Sequence, residues 1–203
     1  VATDEAVTLY GAAWSVYVRI VRLALAEKQV KYGLVEVDVF ADTGVPHERL
    51  TRHPFGRIPT FEHGDFHRYE TGAIVRYIDD AFPRCMLQPT DPKARAKVNQ
   101  IIRILDAYAY QTLVWGIYVE RVVSAREGRL ANGQKIAAAS PRAAVCLSEL
   151  ARLIAHPSLI IDAFVFVVIK DVLPFVLIYL FSQKTNGWFT PTDERLADYA
   201  NAA

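Results

Sequence analysis

Between residues 57 and 69 the chain reads Arg57-Ile58-Pro59-Thr60-Phe61, then Gly64-Asp65, then Phe66-His67-Arg68-Tyr69. Two short β-prone runs around Gly-Asp predict a hairpin, because the turn needs dihedrals that these two residues tolerate. Proline has no N–H to give to a ladder, so Pro59 belongs at an edge or a bend. A cis bond after Ile58 would account for it there. Such a bend would expose the Ile58 main chain to a peptide-like ligand, which could pair with it as an added strand.

The residues around this hairpin keep changing period. Val7-Thr8-Leu9-Tyr10 reads as a short strand, broken by Gly11 to Ser15. From Val16 to Lys28 apolar residues recur at helical spacing through Val18, Ile20, Val21, Leu23, Ala24 and Leu25. Lys31 to Val37 alternates like a strand. Pro46 opens a short helix in a polar stretch, and from Glu70 the helical period returns through Ile74, Ile78 and Asp79. The predicted order is βαβαββα. Its first βαβ implies a parallel pair and its hairpin adds antiparallel strands, giving a small mixed sheet with helices on its faces.

Pro83, Pro89 and Pro92 fall within ten residues and mark residues 82–90 as a linker. It divides an α/β domain (1–81) from an all-α domain (91–203). A long helix beginning at Asp91-Pro92 carries Val98, Ile101, Ile102, Leu105, Ala109, Thr112, Leu113 and Gly116 on one stripe, and Glu127-Gly128-Arg129 ends it. A second helix covers Asn132 to Ala155, and His156-Pro157 breaks it. Ser158 to Asp162 opens another with a variant capping box, and Asn186-Gly187 is a stop.

Composition removes several function classes. The 203 residues are 52% apolar, too many for a disordered chain. With 23 Lys+Arg against 22 Asp+Glu and no basic run, no nucleic-acid surface is indicated. Cys85 and Cys146 form neither a disulfide framework nor a metal pattern, and Cys146 reads as core. The start of the chain lacks the features of a signal peptide. The apolar segment Leu159 to Phe181 is interrupted by Asp162, Lys170, Asp171 and Pro174, and reads as buried helix rather than a membrane span. A cytoplasmic location is the expectation.

Three features carry chemistry. Ser15 stands where a strand gives way to a helix, as an N-cap or as a hydroxyl donor to an anion at that helix start. No G-x-S-x-G elbow or adjacent base supports a serine nucleophile. Ile58-Pro59 is the second feature. The third is Glu70-Thr71 at a helix start, which serves either that helix's own cap and dipole or a ligand. In the ligand reading the helix start and Thr71 receive a carboxylate, while Glu70 holds an ammonium.

Taken together, these strings resemble the thioredoxin-like N-terminal domain of cytosolic glutathione transferases. The matching pieces are Leu9-Tyr10-Gly11, Ser15 through Arg22 to Lys28, His53-Pro54-Phe55-Gly56-Arg57-Ile58-Pro59, and Tyr69-Glu70-Thr71-Gly72-Ala73-Ile74-Val75-Arg76-Tyr77-Ile78. The resemblance covers residues 7 to 80 and is closest to serine-type, bacterial or phi-like members. It implies that Ser15 hydrogen-bonds the glutathione sulfur and that Ile58, before a cis Pro59, pairs with the cysteinyl unit. Glu70 and Thr71 would hold the γ-glutamyl group, with Arg57 near the glycyl end. Tyr10 is the rival for the sulfur, since some branches use a tyrosine at the end of the first strand. Val16 stands where a proline often follows the serine, and His53 where asparagine usually precedes Pro54. The stretch from Leu159 onward matches poorly.

The implied function is conjugation of glutathione to a small hydrophobic electrophile, a detoxification chemistry needing no further cofactor. Holding a thiol of pKa near ~8.5 as thiolate at neutral pH requires about 2.7 kcal/mol. One hydroxyl hydrogen bond to a charged acceptor contributes about 1.5–3 kcal/mol. The electrophile would lie in an apolar pocket lined by Tyr17, Tyr108, Thr112 and Trp115, although aromatics at helical spacing also serve as core. A homodimer is implied by the resemblance. Open alternatives are a glutathione-dependent dehalogenase, isomerase or peroxidase, and a non-catalytic glutathione-binding or scaffold module of the same fold. A glutaredoxin-type oxidoreductase would need a cysteine at Ser15.

Overall fold

The computed structural model describes residues 5–39 and 46–154. These fall into two compact units that divide between Arg95 and Ala96. The first contains β1 (Val7–Tyr10), α1 (Val16–Glu27), β2 (Gly33–Val35), α2 (His47–Arg52), β3 (Thr60–His63), β4 (Phe66–Tyr69) and α3 (Thr71–Ala81). This is the βαβαββα order expected from the changing periods. The strands form one sheet in the order β2-β1-β3-β4. β1 runs parallel to β2 and antiparallel to β3, and β3 pairs antiparallel with β4.

Alternation decides which face is dry. Val7, Leu9 and Phe61 are buried, as are Val18, Val21 and Leu25 of α1 and Ile74, Val75 and Ile78 of α3. Gly11 lets α1 come close, because a Cβ there would overlap the Val18 side chain. α1 ends in a Schellman motif: Gln29 takes φ 53°, its N–H donates to Ala26 O and the Val30 N–H donates to Leu25 O, both at 2.9 Å. The hairpin turns through Gly64 at φ 59°. Only the first of its two turn residues has positive φ, the pattern of a II′ turn.

Two strands are shorter than the alternation suggests. β2 covers Gly33–Val35 instead of Lys31 to Val37, and β3 starts at Thr60 instead of Arg57. For β3 the cause is Pro59, which offers no N–H and follows a cis bond from Ile58, so pairing with Tyr10 begins one residue later.

The far ends of α1 and α3 are tied by a buried ion pair. Lys28 Nζ lies 2.7 Å from Asp79 Oδ1, with side chains 1% and 2% exposed, and also donates to Asp79 O at 2.9 Å. Asp79 further accepts the N–H groups of Leu87 (2.8 Å) and Gln88 (3.1 Å). The proline-rich segment is thereby pinned by this carboxylate.

A helical run starts with α4 (Pro92–Ile104) at the boundary of the units, continues through a π-wound segment (Leu105–Val123) and ends in a short α5 (Ser124–Arg126). α6 (Gly133–Ile154) packs against the π-wound segment, and Gly116 allows it: a Cβ there would sit 2.6 Å from Ala139 Cβ. The expected stripe is buried at Val98, Ile101, Leu105, Ala109, Thr112, Leu113 and Gly116, while Ile102 is only half-buried. The i→i+5 winding is not legible in the stripe. Within it the Thr112 hydroxyl donates to Tyr108 O (2.8 Å) and Ala109 O (3.2 Å). Cys146 is buried, as expected of a core residue. Among the described residues no helix is long and apolar enough to cross a membrane. The segments Leu159 to Phe181, Ser158 to Asp162 and Asn186-Gly187 lie outside the described residues.

Candidate functional site

Sheet register gathers the first unit's candidates at one end. Tyr10 pairs with Thr60 and Thr60 with Tyr69, so the next residues of each chain run (Gly11, Pro59 and Glu70) leave the sheet at the same edge. Ser15 lies four residues past Gly11. One sheet end therefore collects Ser15, Ile58-Pro59, Glu70 and Thr71.

Ser15 occupies the N-cap position of α1, with extended backbone (φ −66°, ψ 128°) and no side-chain cap bond. It is 8% exposed, and its hydroxyl has no hydrogen-bond partner among the described residues. Its backbone is held at both ends: its N–H donates to Ala12 O and its carbonyl accepts from Arg19 N, each at 2.9 Å. The preceding loop is clamped from just beyond β2, where Glu36 Oε1 accepts the Ala13 N–H at 3.1 Å.

Tyr10 is differently placed. Its hydroxyl donates to Glu62 Oε2 at 2.8 Å, and the Arg52 guanidinium lies over its ring, 4.4 Å from the centroid. Burial, followed by the Glu62 hydrogen bond and charge, raises its pKa above the ordinary tyrosine value. The proton stays on Tyr10 and is committed to Glu62. Tyr17, on the first turn of α1, is half-buried.

The Ile58-Pro59 bond is cis. Ile58 is half-buried, and its main chain has no hydrogen-bond partner among the described residues. Arg57 beside it is exposed. The loop leading here is stapled by Arg49, which donates to Gly56 O and, at 3.0 Å, to Asp38 O.

Glu70, and not Thr71, stands at the N-cap position of α3, at φ 69° and ψ 113° and without a side-chain cap bond. Positive φ is uncommon for a non-glycine residue, and such outliers cluster at ligand sites. Glu70 O accepts the N–H groups of Ala73 and Ile74, both at 3.0 Å, which leaves those of Thr71 and Gly72 without partners among the described residues. Two free N–H groups at a helix start and a hydroxyl make an anion-binding corner. The Glu70 side chain beside it is 64% exposed.

His53 is the residue whose role sequence reasoning missed. It is 2% exposed, packs on the Tyr69 ring (centroids 4.6 Å apart), and accepts the Phe55 N–H on Nδ1 at 3.3 Å. Its Nε2 lies 4.0 Å from Glu70 Oε1. Burial lowers its pKa below the ordinary histidine value, against the opposing pull of Glu70, so the ring is neutral near pH 7. The one signal in the chain was the unusual residue before Pro54.

In the second unit the three candidates differ in burial. Thr112 is buried with its hydroxyl used inside its own helix, while Tyr108 and Trp115 are 54% and 40% exposed. Among the described residues no group of His, Cys, Asp and Glu could hold a metal ion.

A β2-β1-β3-β4 mixed sheet, a cis-proline bend and a helix start facing it define a thioredoxin-like domain. Residues 9–90 match the family described as the glutathione S-transferase N-terminal domain. The chain is 31% identical over 106 residues to a stringent starvation protein A homolog of Haemophilus influenzae, covering 52% of this chain and 49% of that protein. It is 28% identical over 124 residues to glutathione S-transferase F12 of Arabidopsis thaliana, covering 60% and 58%. The chain thus spans about half the length of the curated relatives it matches. Its fold is similar to that of glutathione S-transferase III in apo form, with a TM-score of 0.70 at 22% identity over 84% of this chain and 81% of that one. Residues 9–90 thus match the glutathione S-transferase N-terminal domain, and the chain has the fold of a glutathione transferase.

Proposed function

We propose that the chain is a glutathione transferase, adding the glutathione thiolate to the electrophilic carbon of a small hydrophobic substrate. One observation carries the reading: the hydroxyl of the mostly buried Ser15, at the start of α1, has no partner among the described residues and is open to a ligand, while the rival Tyr10 hydroxyl is committed to Glu62. In this reading Ser15 donates to the sulfur, and the α1 start favours the negative charge. The Ile58 main chain pairs with the cysteinyl unit. The γ-glutamyl carboxylate rests on Thr71 and the α3 N–H groups, and Glu70 takes the ammonium. Arg57, exposed on the same loop, serves the glycyl carboxylate. Within the second unit, Tyr108 and Trp115 offer exposed aromatic surface for the electrophile. Dehalogenation, isomerisation and peroxide reduction use the same activated thiolate. The protein works in this reading as a cytoplasmic homodimer.

The test is the thiolate absorbance of bound glutathione in wild type and Ser15→Ala. A clear loss in the variant is expected, and equal thiolate fractions would remove Ser15 from the mechanism. A second reading, a non-catalytic glutathione-binding or scaffold module, is favoured by the stringent starvation protein A homologs among its relatives, whose name carries no enzymatic activity. Retention on a glutathione column without turnover of aryl halides, epoxides or hydroperoxides would select it. No retention would reject both.

A further inference from the structure

We propose that His53 is a positioning residue for Glu70, its Nε2–H orienting that carboxylate toward the ligand ammonium. The inference rests on the glutathione reading above. The ring has one orientation available. Its backbone is fixed by the His53 N–H donating to Arg49 O (2.9 Å) and by His53 O accepting from Gly56 N (2.8 Å). Its side chain is wedged between Tyr69 and Phe55, with centroids 4.6 and 6.0 Å away.

That orientation also sets the tautomer. Nδ1 accepts the Phe55 N–H, so in the neutral ring the proton sits on Nε2. Nε2 faces Glu70 Oε1 at 4.0 Å, outside hydrogen-bond distance but within reach of a small side-chain rotation. Glu70 is free to make that rotation, being 64% exposed and without a cap bond. Arg57, Arg49 and His67 are the other charged or titratable groups acting on His53, and all three disfavour a positive ring. A neutral donor suits the task, because an imidazolium would compete with the ligand ammonium for Glu70. The same residue braces the loop that presents Arg57 and Ile58, so it links the two parts of the ligand grip.

The two halves of this role separate chemically. Gln at position 53 carries an N–H at the place of Nε2 and loses the Nδ1 acceptor. Asn carries an acceptor at the place of Nδ1 and cannot reach Glu70. Calorimetric titration with glutathione, and with an analogue lacking the α-amino group, is performed on wild type, His53→Gln and His53→Asn, each with a thermal melt to register folding. The expected result is near-wild-type glutathione binding by His53→Gln and a weakening of about ten- to hundredfold in His53→Asn, the size of one lost hydrogen bond to a charged group. With the deaminated analogue the difference between the two variants disappears. Unchanged binding in His53→Asn, or equal weakening of both variants toward both ligands, would overturn the proposal while leaving the glutathione site intact. Absence of glutathione binding in the wild type would instead sink the reading of the site, and this inference with it.

Discussion

The two units treat their helix ends in opposite ways. In the sheet unit, α1 and α3 begin at the same sheet edge, behind Ser15 and Glu70, and neither N-cap side chain bonds its own helix. In the helical unit, Asn132 Oδ1 accepts the Lys135 N–H at 3.0 Å and caps α6 internally, and at the boundary of the units Asp91 Oδ2 accepts the Ala94 N–H at 2.8 Å and caps α4. The contrast reverses for ion pairs. The sheet unit buries Lys28–Asp79 at the far ends of its two helices. The helical unit leaves Glu120–Lys135 half-open, with side chains 11% and 47% exposed. A helix start left uncapped costs stability that an internal cap would supply. In this molecule that cost falls at the edge where a ligand would complete the cap, and the buried ion pair fastens the opposite edge.

The largest test of this contrast is Lys28→Met. It leaves the Asp79 carboxylate buried without its cation and is expected to cost about 3–5 kcal/mol in denaturant unfolding. Lys135→Met should cost less, because Lys135 is 47% exposed and Glu120 keeps the Asn132 N–H. Equal losses would erase the distinction between the units.

Next in size is Ser15→Ala. Turnover at neutral pH is expected to fall by about ten- to hundredfold, the weight of one hydrogen bond to a charged acceptor. The melting temperature should scarcely move, since the hydroxyl makes no bond within the described protein. A large loss of stability would mean that Ser15 serves the fold.

The internal caps of α4 and α6 should behave the other way. Asp91→Ala and Asn132→Ala are each expected to lose about 1 kcal/mol of stability, with retention on a glutathione column unchanged. Weakened retention would show that the division of labour does not hold.

The smallest effect concerns pH. The folded-state pKa of His53 lies below its unfolded value of 6.5, so the unfolded chain binds more protons in that range. Stability should therefore be full above that value and decline as pH falls below it. Comparing wild type with His53→Asn by unfolding between about pH 7 and about pH 5 should show a shallower decline in the variant. Identical slopes would mean that His53 is not the group responsible.

Much of this arrangement was legible in the chain. The strand and helix order, the hairpin at Gly64-Asp65 and the burial stripe from Val98 to Gly116 followed from spacing. Helical and strand periods are written residue by residue wherever one face is dry. Helix starts were legible for the same reason, because Ser15, Glu70 and Asn132 punctuate those periods. The occupancy of those starts was not. Asn132 and Ser15 are both good capping types, and only the structure shows that one caps its helix while the other does not. The unusual backbone of Glu70 also left no trace in composition.

The sequence by itself determined which segments become strands and helices and which residues face the core, because those follow from local periodicity and the dihedral limits of proline and glycine. Only the tertiary structure decided which polar groups are already engaged. Tyr10 meets Glu62 across 52 positions, Lys28 meets Asp79 across 51, and His53 comes to lie under Glu70. Those pairings depend on strand register and on how two helices land on one sheet. Register is a property of the whole packed unit, and no window of sequence carries it.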